Sequence, residues 1–183
     1  MTCIVGLRQD GHIYMGGDSA ASNGHNIVTI SPASPKVFKH GDIVFGYAQS
    51  LRAGQIVQHH FKPPEIKGGV IEYLTGPFVR ELRKTLEEYG FQKADESWDE
   101  EAENVICLLV GIQQQIYEIW ADYAVVPVAE SYSSIGCGSD VAVGSLHSTA
   151  GMGLTGSERI TKALEAAAFH CTDIRPPFVI EEI

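Results

Sequence analysis

The chain has 183 residues, 13 of them Lys or Arg and 23 Asp or Glu, for a formal net charge of −10. An acidic surface repels phosphates, which excludes non-specific attraction to nucleic acid or to an anionic membrane surface. A hydrophobic content of 44% with 20% charged residues excludes a disordered or membrane-embedded chain. One domain of this length buries roughly two-thirds of the surface its unfolded form exposes. No stretch offers about 18 uninterrupted apolar residues, and the start lacks the basic and apolar regions of a secretory signal, so a cytoplasmic setting is expected. Cys3, Cys107, Cys137 and Cys171 are scattered without C-x-x-C spacing, which predicts buried, reduced thiols and no zinc.

In chain order, residues 3–8 and 12–17 read as strands around Asp10-Gly11, a hairpin signal. Further strands are expected at 25–30, 36–39 and, after Gly41-Asp42, at 43–47. Helices are expected at 51–61 and 70–89, the second with Ile71, Leu74, Phe78, Leu82 and Leu86 at spacings of three and four. Gly76-Pro77 should kink or divide it, because proline lacks the N–H that the preceding turn needs. The acidic run from Asp95 to Glu103 reads as a solvated loop or helix start. Strands follow at 104–112, nearly continuous in apolar residues and so buried on both faces, and at 115–121 and 131–137. A small-residue helix begins at about Asp140, another spans 157–170, and a strand closes the chain at 178–183. The whole reads as a single α+β domain, 1–183. Two sheets packed face to face with helix pairs outside would cover every apolar face, a four-layer αββα sandwich.

The chemistry is expected at the N-terminus, where Thr2 leads straight into a strand. Its small size permits removal of Met1, after which hydroxyl and α-amine sit on adjacent carbons and the amine can take the hydroxyl proton directly or through one water. An α-amine titrates at about pH 8, close enough to neutral to be substantially unprotonated.

The run Thr2-Cys-Ile-Val-Gly, returning through Gly17-Asp18 to Ser22, resembles the opening of proteasome β subunits and of the bacterial HslV-type peptidase. Both are N-terminal-nucleophile hydrolases. The segment from Lys36 to Ala48 resembles the family's next landmark, with an insertion of about two residues. The resemblance implies Thr2 as nucleophile, Lys36 as the cation that keeps the amine neutral, and Asp18 as the partner that orients the lysine. It implies the Gln49 N–H as oxyanion donor. The family usually has glycine there, so Gln49 would meet strain in a glycine-only backbone angle. It also places Ala21, Ser22 and Tyr47 against a peptide substrate, Ser22 beside the substrate backbone and Tyr47 in the side-chain pocket. Ser134-Ile-Gly-Cys137-Gly-Ser139 resembles the family's Ile-Gly-Ser-Gly turn, with Cys137 replacing the serine that supports the amine. Cys171-Thr-Asp-Ile174 keeps the cysteine of the HslV-type motif and loses its final hydroxyl.

What the resemblance implies is a threonine endopeptidase in homo-oligomeric stacked rings that hide the site, with polypeptide substrates, an AAA+ unfoldase as partner and no cofactor. A small-molecule amidase and a weak or inactive assembly subunit are the alternatives. Gly151 to Gly156 fits G-x-G-x-x-G but follows no apolar strand, so it reads as a connection, with Thr155 and Glu158 spaced as a capping box. His59 and His60 lack a third ligand in register and predict no metal.

Overall fold

The computed structural model describes residues 2–23, 25–91 and 106–183. The expected loss of Met1, the acidic run and the first residues of the strand expected at 104–112 lie outside them.

β1 (Cys3–Gln9) turns through Asp10 and Gly11, both at positive φ, into β2 (His12–Gly17). The pair is antiparallel, with Ile4 opposite Gly17 and Gln9 opposite His12. β3 (Ala20–Ser22) and β4 (Ile27–Thr29) form a small separate hairpin. β5 (Val37–His40) and β6 (Ile43–Gln49) open a second main sheet, continued by β7 (Ile106–Ile112), β8 (Gln115–Ile119) and β9 (Val125–Pro127), in the order β5-β6-β7-β8-β9. β10 (Tyr132–Gly136) and β11 (Val179–Glu182) join the first sheet, whose order is β10-β1-β2-β11.

Side chains alternate across a strand, and β1 shows what that does. Cys3, Val5 and Leu7 pack with Ala142 and Leu146 of α4 (Ser139–Ser148) and with Ile160 and Leu164 of α5 (Gly156–His170). Ile4 faces the other way and joins Ile13, Met15, Val44 and Leu109 between the two sheets. The sheets come so close there that a Cβ on Gly46 would lie 2.2 Å from Ile4 Cγ2. The outer face of the second sheet, with Phe45, Tyr47, Leu108 and Val110, packs on Ile56 of α1 (Leu51–His60) and on Leu82 and Leu86 of α3 (Val79–Glu88).

The helix expected at 70–89 is divided as its Gly-Pro pair predicts. α2 (Val70–Tyr73) passes into a π-helical turn, Leu74–Phe78, that contains Pro77, and then into α3. The wide turn absorbs the missing proline N–H and keeps Leu74, Phe78, Leu82 and Leu86 buried, while Ile71 is 43% exposed. The expected strand at 25–30 shrinks to Ile27–Thr29, and β3 and β9 were not foreseen; each has three residues, too few for alternation to register. The expectation of four buried thiols is also corrected. Cys3 is buried, Cys107 and Cys171 are half-buried, and Cys137, in the turn entering α4, is exposed.

Candidate active site

Thr2 stands at the mouth of a buried strand, and its carbonyl is held by the turn between β10 and α4. That oxygen accepts from Gly138 N–H at 3.5 Å and from Cys137 Sγ at 3.5 Å. Gly136, at φ +98°, runs so close that a Cβ there would sit 2.2 Å from the same oxygen; only glycine combines that angle with that approach.

Asp18 follows β2 and ties the hairpin shut. Its Oδ1 accepts the Cys3 N–H at 2.9 Å, its Oδ2 accepts the Ala20 N–H at 2.8 Å, and its own N–H donates to Cys3 O at 3.3 Å. Lys36 lies just before β5, where its carbonyl accepts the Tyr47 N–H at 3.2 Å. Its Nζ donates to Asp18 Oδ1 at 2.9 Å and to Thr2 Oγ1 at 3.1 Å. Thr2, Asp18 and Lys36 are 5%, 2% and 3% exposed. Burial holds the Lys36 ammonium below its ordinary value, against the opposing pull of Asp18. The trio is a hydroxyl, a desolvated cation and a fixed carboxylate in one chain of hydrogen bonds.

A cleft opens beside it, lined by Thr2, Ala20, Ala21, Ser22, Lys36, Tyr47, Gln49 and Leu51. It therefore gathers the residues expected to meet substrate with the nucleophile candidate. Tyr47 is buried, its ring lying over Gly54 of α1. Burial, with a smaller effect of Asp18, pushes its phenol up to about 12, and among the described residues its hydroxyl has no hydrogen-bond partner. Gln49 ends β6 at φ +75°, so it occupies the left-handed region despite its side chain. Its Oε1 accepts from Cys107 Sγ at 3.5 Å. Cys137 reaches the site through the Thr2 carbonyl. All eight of the expected site residues are thus brought together, in the cleft or one contact from it.

Sequence reading missed Ala20 and Leu51. The first follows from the Asp at position 18, whose carboxylate captures the N–H two residues on, an Asx turn. The second was signalled by an apolar residue directly after Ser50, which caps α1 by accepting the Ala53 N–H at 3.2 Å. Leu51 is left 39% exposed at the rim.

A larger hollow of about 460 Å³ lies at the far end of β1, among the turns at Gly11, Gly41 and Gln113-Gln114 and the terminal Ile183. It is bordered by Lys39, paired with Glu181 at 2.9 Å, and brings no nucleophile beside a base. Among the described residues no three His, Cys, Asp or Glu side chains are grouped to hold a metal ion, and no helix is long and apolar enough to cross a membrane.

No family model and no curated protein matches the sequence. Solved structures do match the fold. BPH from Thiobacillus denitrificans superposes with a TM-score of 0.81 at 18% identity, over 99% of this chain and 97% of that one, and a second structure shows BPH in complex with epoxomicin. HslV from Trypanosoma brucei gives 0.68 at 18% identity, over 98% of each chain. Anbu, the ancestral beta-subunit, from Yersinia bercovieri gives 0.69 at 12%, over 98% of this chain and 80% of that one. The resemblance read in the opening residues extends through the architecture of nearly the whole chain. The protein has the fold of the proteasome-like N-terminal-nucleophile hydrolases.

Proposed function

We propose that, once Met1 is removed, the chain is a threonine endopeptidase acting through Thr2. The observation that carries this reading is Lys36 Nζ, donating to Thr2 Oγ1 and Asp18 Oδ1 from a buried position. Thr2 Oγ attacks the scissile carbonyl and passes its proton to the α-amine. The Lys36 ammonium lowers the proton affinity of both groups, and Asp18 holds it in place. The Gln49 N–H donates to the tetrahedral oxyanion. The amine then protonates the leaving amine, and a water deprotonated by the same amine hydrolyses the Thr2 ester. Cys137 supports the nucleophile's backbone, and the substrate lies along Ala21 and Ser22 with a side chain toward Tyr47.

The same reading takes 1–183 as one domain whose packed clusters stack as a four-layer αββα sandwich. Both the contact of α4 and α5 with one sheet and that of α1 and α3 with the other support it. An open cleft with a general peptidase site calls for a chamber, so the reading includes a homo-oligomeric ring in the cytoplasm, fed by an AAA+ unfoldase. The likeness to HslV and to Anbu, one structure of which is a helical assembly from Pseudomonas aeruginosa, supports an oligomer.

The deciding experiment is intact mass of the protein before and after a peptide epoxyketone, whose ring adduct needs the Thr hydroxyl and a free α-amine. Loss of Met1 and one adduct, absent in Thr2→Ala, is the expected result. Met1 retained in protein made in its own cell would sink the mechanism and leave assembly as the function. An adduct with turnover of small amides alone would favour the amidase.

A further inference from the structure

Three of the four cysteines converge where the first strand, the turn into α4 and the end of α5 meet. Cys3 is buried in the cluster under the first sheet, and burial pushes its thiol up to about 12, which keeps it an inert apolar group. The other two differ. Cys137 is exposed and precedes Gly138, the residue that caps the N-terminus of the ten-residue α4. Cys171 caps the C-terminus of α5, is half-buried, and directs its Sγ at the Cys137 carbonyl, 3.9 Å away. Burial and the neighbouring Cys137 raise its thiol above the ordinary value.

We propose that Cys137 and Cys171 are a hydroperoxide-sensitive dithiol that closes reversibly to a disulfide beside the Thr2 carbonyl. The roles follow from exposure and surroundings. The exposed Cys137 sulfur, in the turn entering α4, loses its proton and attacks the peroxide. One oxygen passes to sulfur as a sulfenic acid and the other leaves as alcohol or water. The Cys171 thiol then attacks the sulfenic sulfur, the S–S bond forms, and water departs. Two thiols and one peroxide give one disulfide, one water and the reduced peroxide. Low-molecular-weight dithiols reverse it, as befits a transient bridge in a reducing compartment.

The bridge would act on the site through the turn that carries Cys137. That turn holds the Thr2 carbonyl through Cys137 Sγ and Gly138 N–H, each at 3.5 Å, and through the close pass of Gly136. It is also wedged against the tail of α5, since a Cβ on Gly138 would meet Ile174 Cδ1 at 2.3 Å. Oxidation removes the S–H donor and draws the turn toward Cys171. A displacement of Thr2 of about 1 Å is enough to slow acyl transfer on the order of 10- to 100-fold. This consequence rests on the proposed role of Thr2; the bridge itself does not.

The test treats the intact protein with hydrogen peroxide under non-reducing conditions and digests it for mass spectrometry, alongside peptidase assays before and after dithiothreitol. A peptide pair joined through Cys137 and Cys171 is expected, lost in Cys171→Ser, with activity falling in the parent, recovering on reduction, and staying lower in Cys171→Ser after dithiothreitol. Cys171→Ser itself should keep the basal activity. Oxidation of Cys137 to sulfinic acid with no linked pair overturns the dithiol. A linked pair with unchanged activity overturns its coupling to Thr2. Absence of turnover in the reduced protein would count against the peptidase reading, and the linked pair would still decide the bridge.

Discussion

Gln49 is the departure that should matter most for catalysis, and replacing it tests what its backbone angle is for. At φ +75° an L-residue carries about 1–2 kcal/mol of steric cost relative to the right-handed region. Gln49→Gly removes that cost but returns about 0.4–1 kcal/mol of freedom to the unfolded chain. It also gives up the 3.5 Å contact from Cys107 Sγ, worth no more than about 0.5 kcal/mol at an exposed position. The balance is a gain of roughly 0.5 kcal/mol, a rise in Tm of about 1–2 °C for a chain of this size. Because the N–H stays where it is, peptide hydrolysis should hold or improve. Gln49→Val is the counter-variant: a β-branched residue disfavours positive φ, and a flip of the backbone would remove an oxyanion donor, lowering kcat about 10²- to 10³-fold. Urea unfolding and fluorogenic-peptide assays of both variants read the two effects separately. If Gln49→Val turned over normally while Gln49→Gly was slower or lost more than about 1 kcal/mol, the angle would have no catalytic purpose and the oxyanion assignment would fall.

Other perturbations have signs set by the same geometry. Asp18→Asn leaves the Lys36 charge buried at 3% exposure without its counter-ion, and equilibrium unfolding should show a loss of about 3–5 kcal/mol. The pH–rate profile of the parent should lose activity as pH rises through a value below the ordinary lysine range, because burial lowers the folded Lys36 pKa and the reading needs the ammonium. Asp18 opposes that lowering, so in Asp18→Asn the alkaline limb should move to still lower pH; a limb unmoved by this substitution would assign it to another group. Gly136→Ala should place a methyl 2.2 Å from the Thr2 carbonyl at an angle it disfavours, cutting kcat by about 100-fold with an epoxyketone adduct slowed in parallel.

The fold class was legible through the family resemblance carried by the first fifty residues, and the candidate site residues were named from that same resemblance. Thr2 and Asp18 flank the β1–β2 hairpin and Lys36 lies just before β5, and the pairing of Ile4 with Gly17 is enough to bring the carboxylate back to the start of the chain. What was not legible depended on distance in sequence or on length. Asp18 serves as a backbone acceptor for Cys3 and Ala20 as well as a lysine partner, and nothing in its residue type distinguishes the two duties. Cys137 being exposed could not be read from its glycine neighbours, since it depends on how the turn leaves β10 against α5. The strained angle at Gln49 was anticipated as an obstacle; the fold holds it nonetheless, with β6 paired to β7 through Gln49 and Ile106.

A buried ion pair also discriminates between the enzyme and the assembly subunit. Lys36 and Asp18 have side chains 3% and 0% exposed, and taking two charges out of water costs several kcal/mol per ion, which their attraction only partly offsets. A chain that served assembly alone would need an acceptor at position 18 for the Cys3 and Ala20 N–H groups, but no buried ammonium at position 36. We therefore predict that Asp18→Asn/Lys36→Met, which removes the unpaired buried ammonium while the Asn oxygen still accepts one of the two backbone N–H groups that Asp18 holds, recovers most of the stability lost in Asp18→Asn and keeps the parent's oligomeric state, while losing peptide hydrolysis and the epoxyketone adduct together. Sedimentation, urea unfolding and intact mass on the three proteins separate these outcomes. Were the double variant to assemble, fold and still form the adduct at the parent's rate, the buried pair would have no part in activating Thr2, and the α-amine would act as base without Lys36.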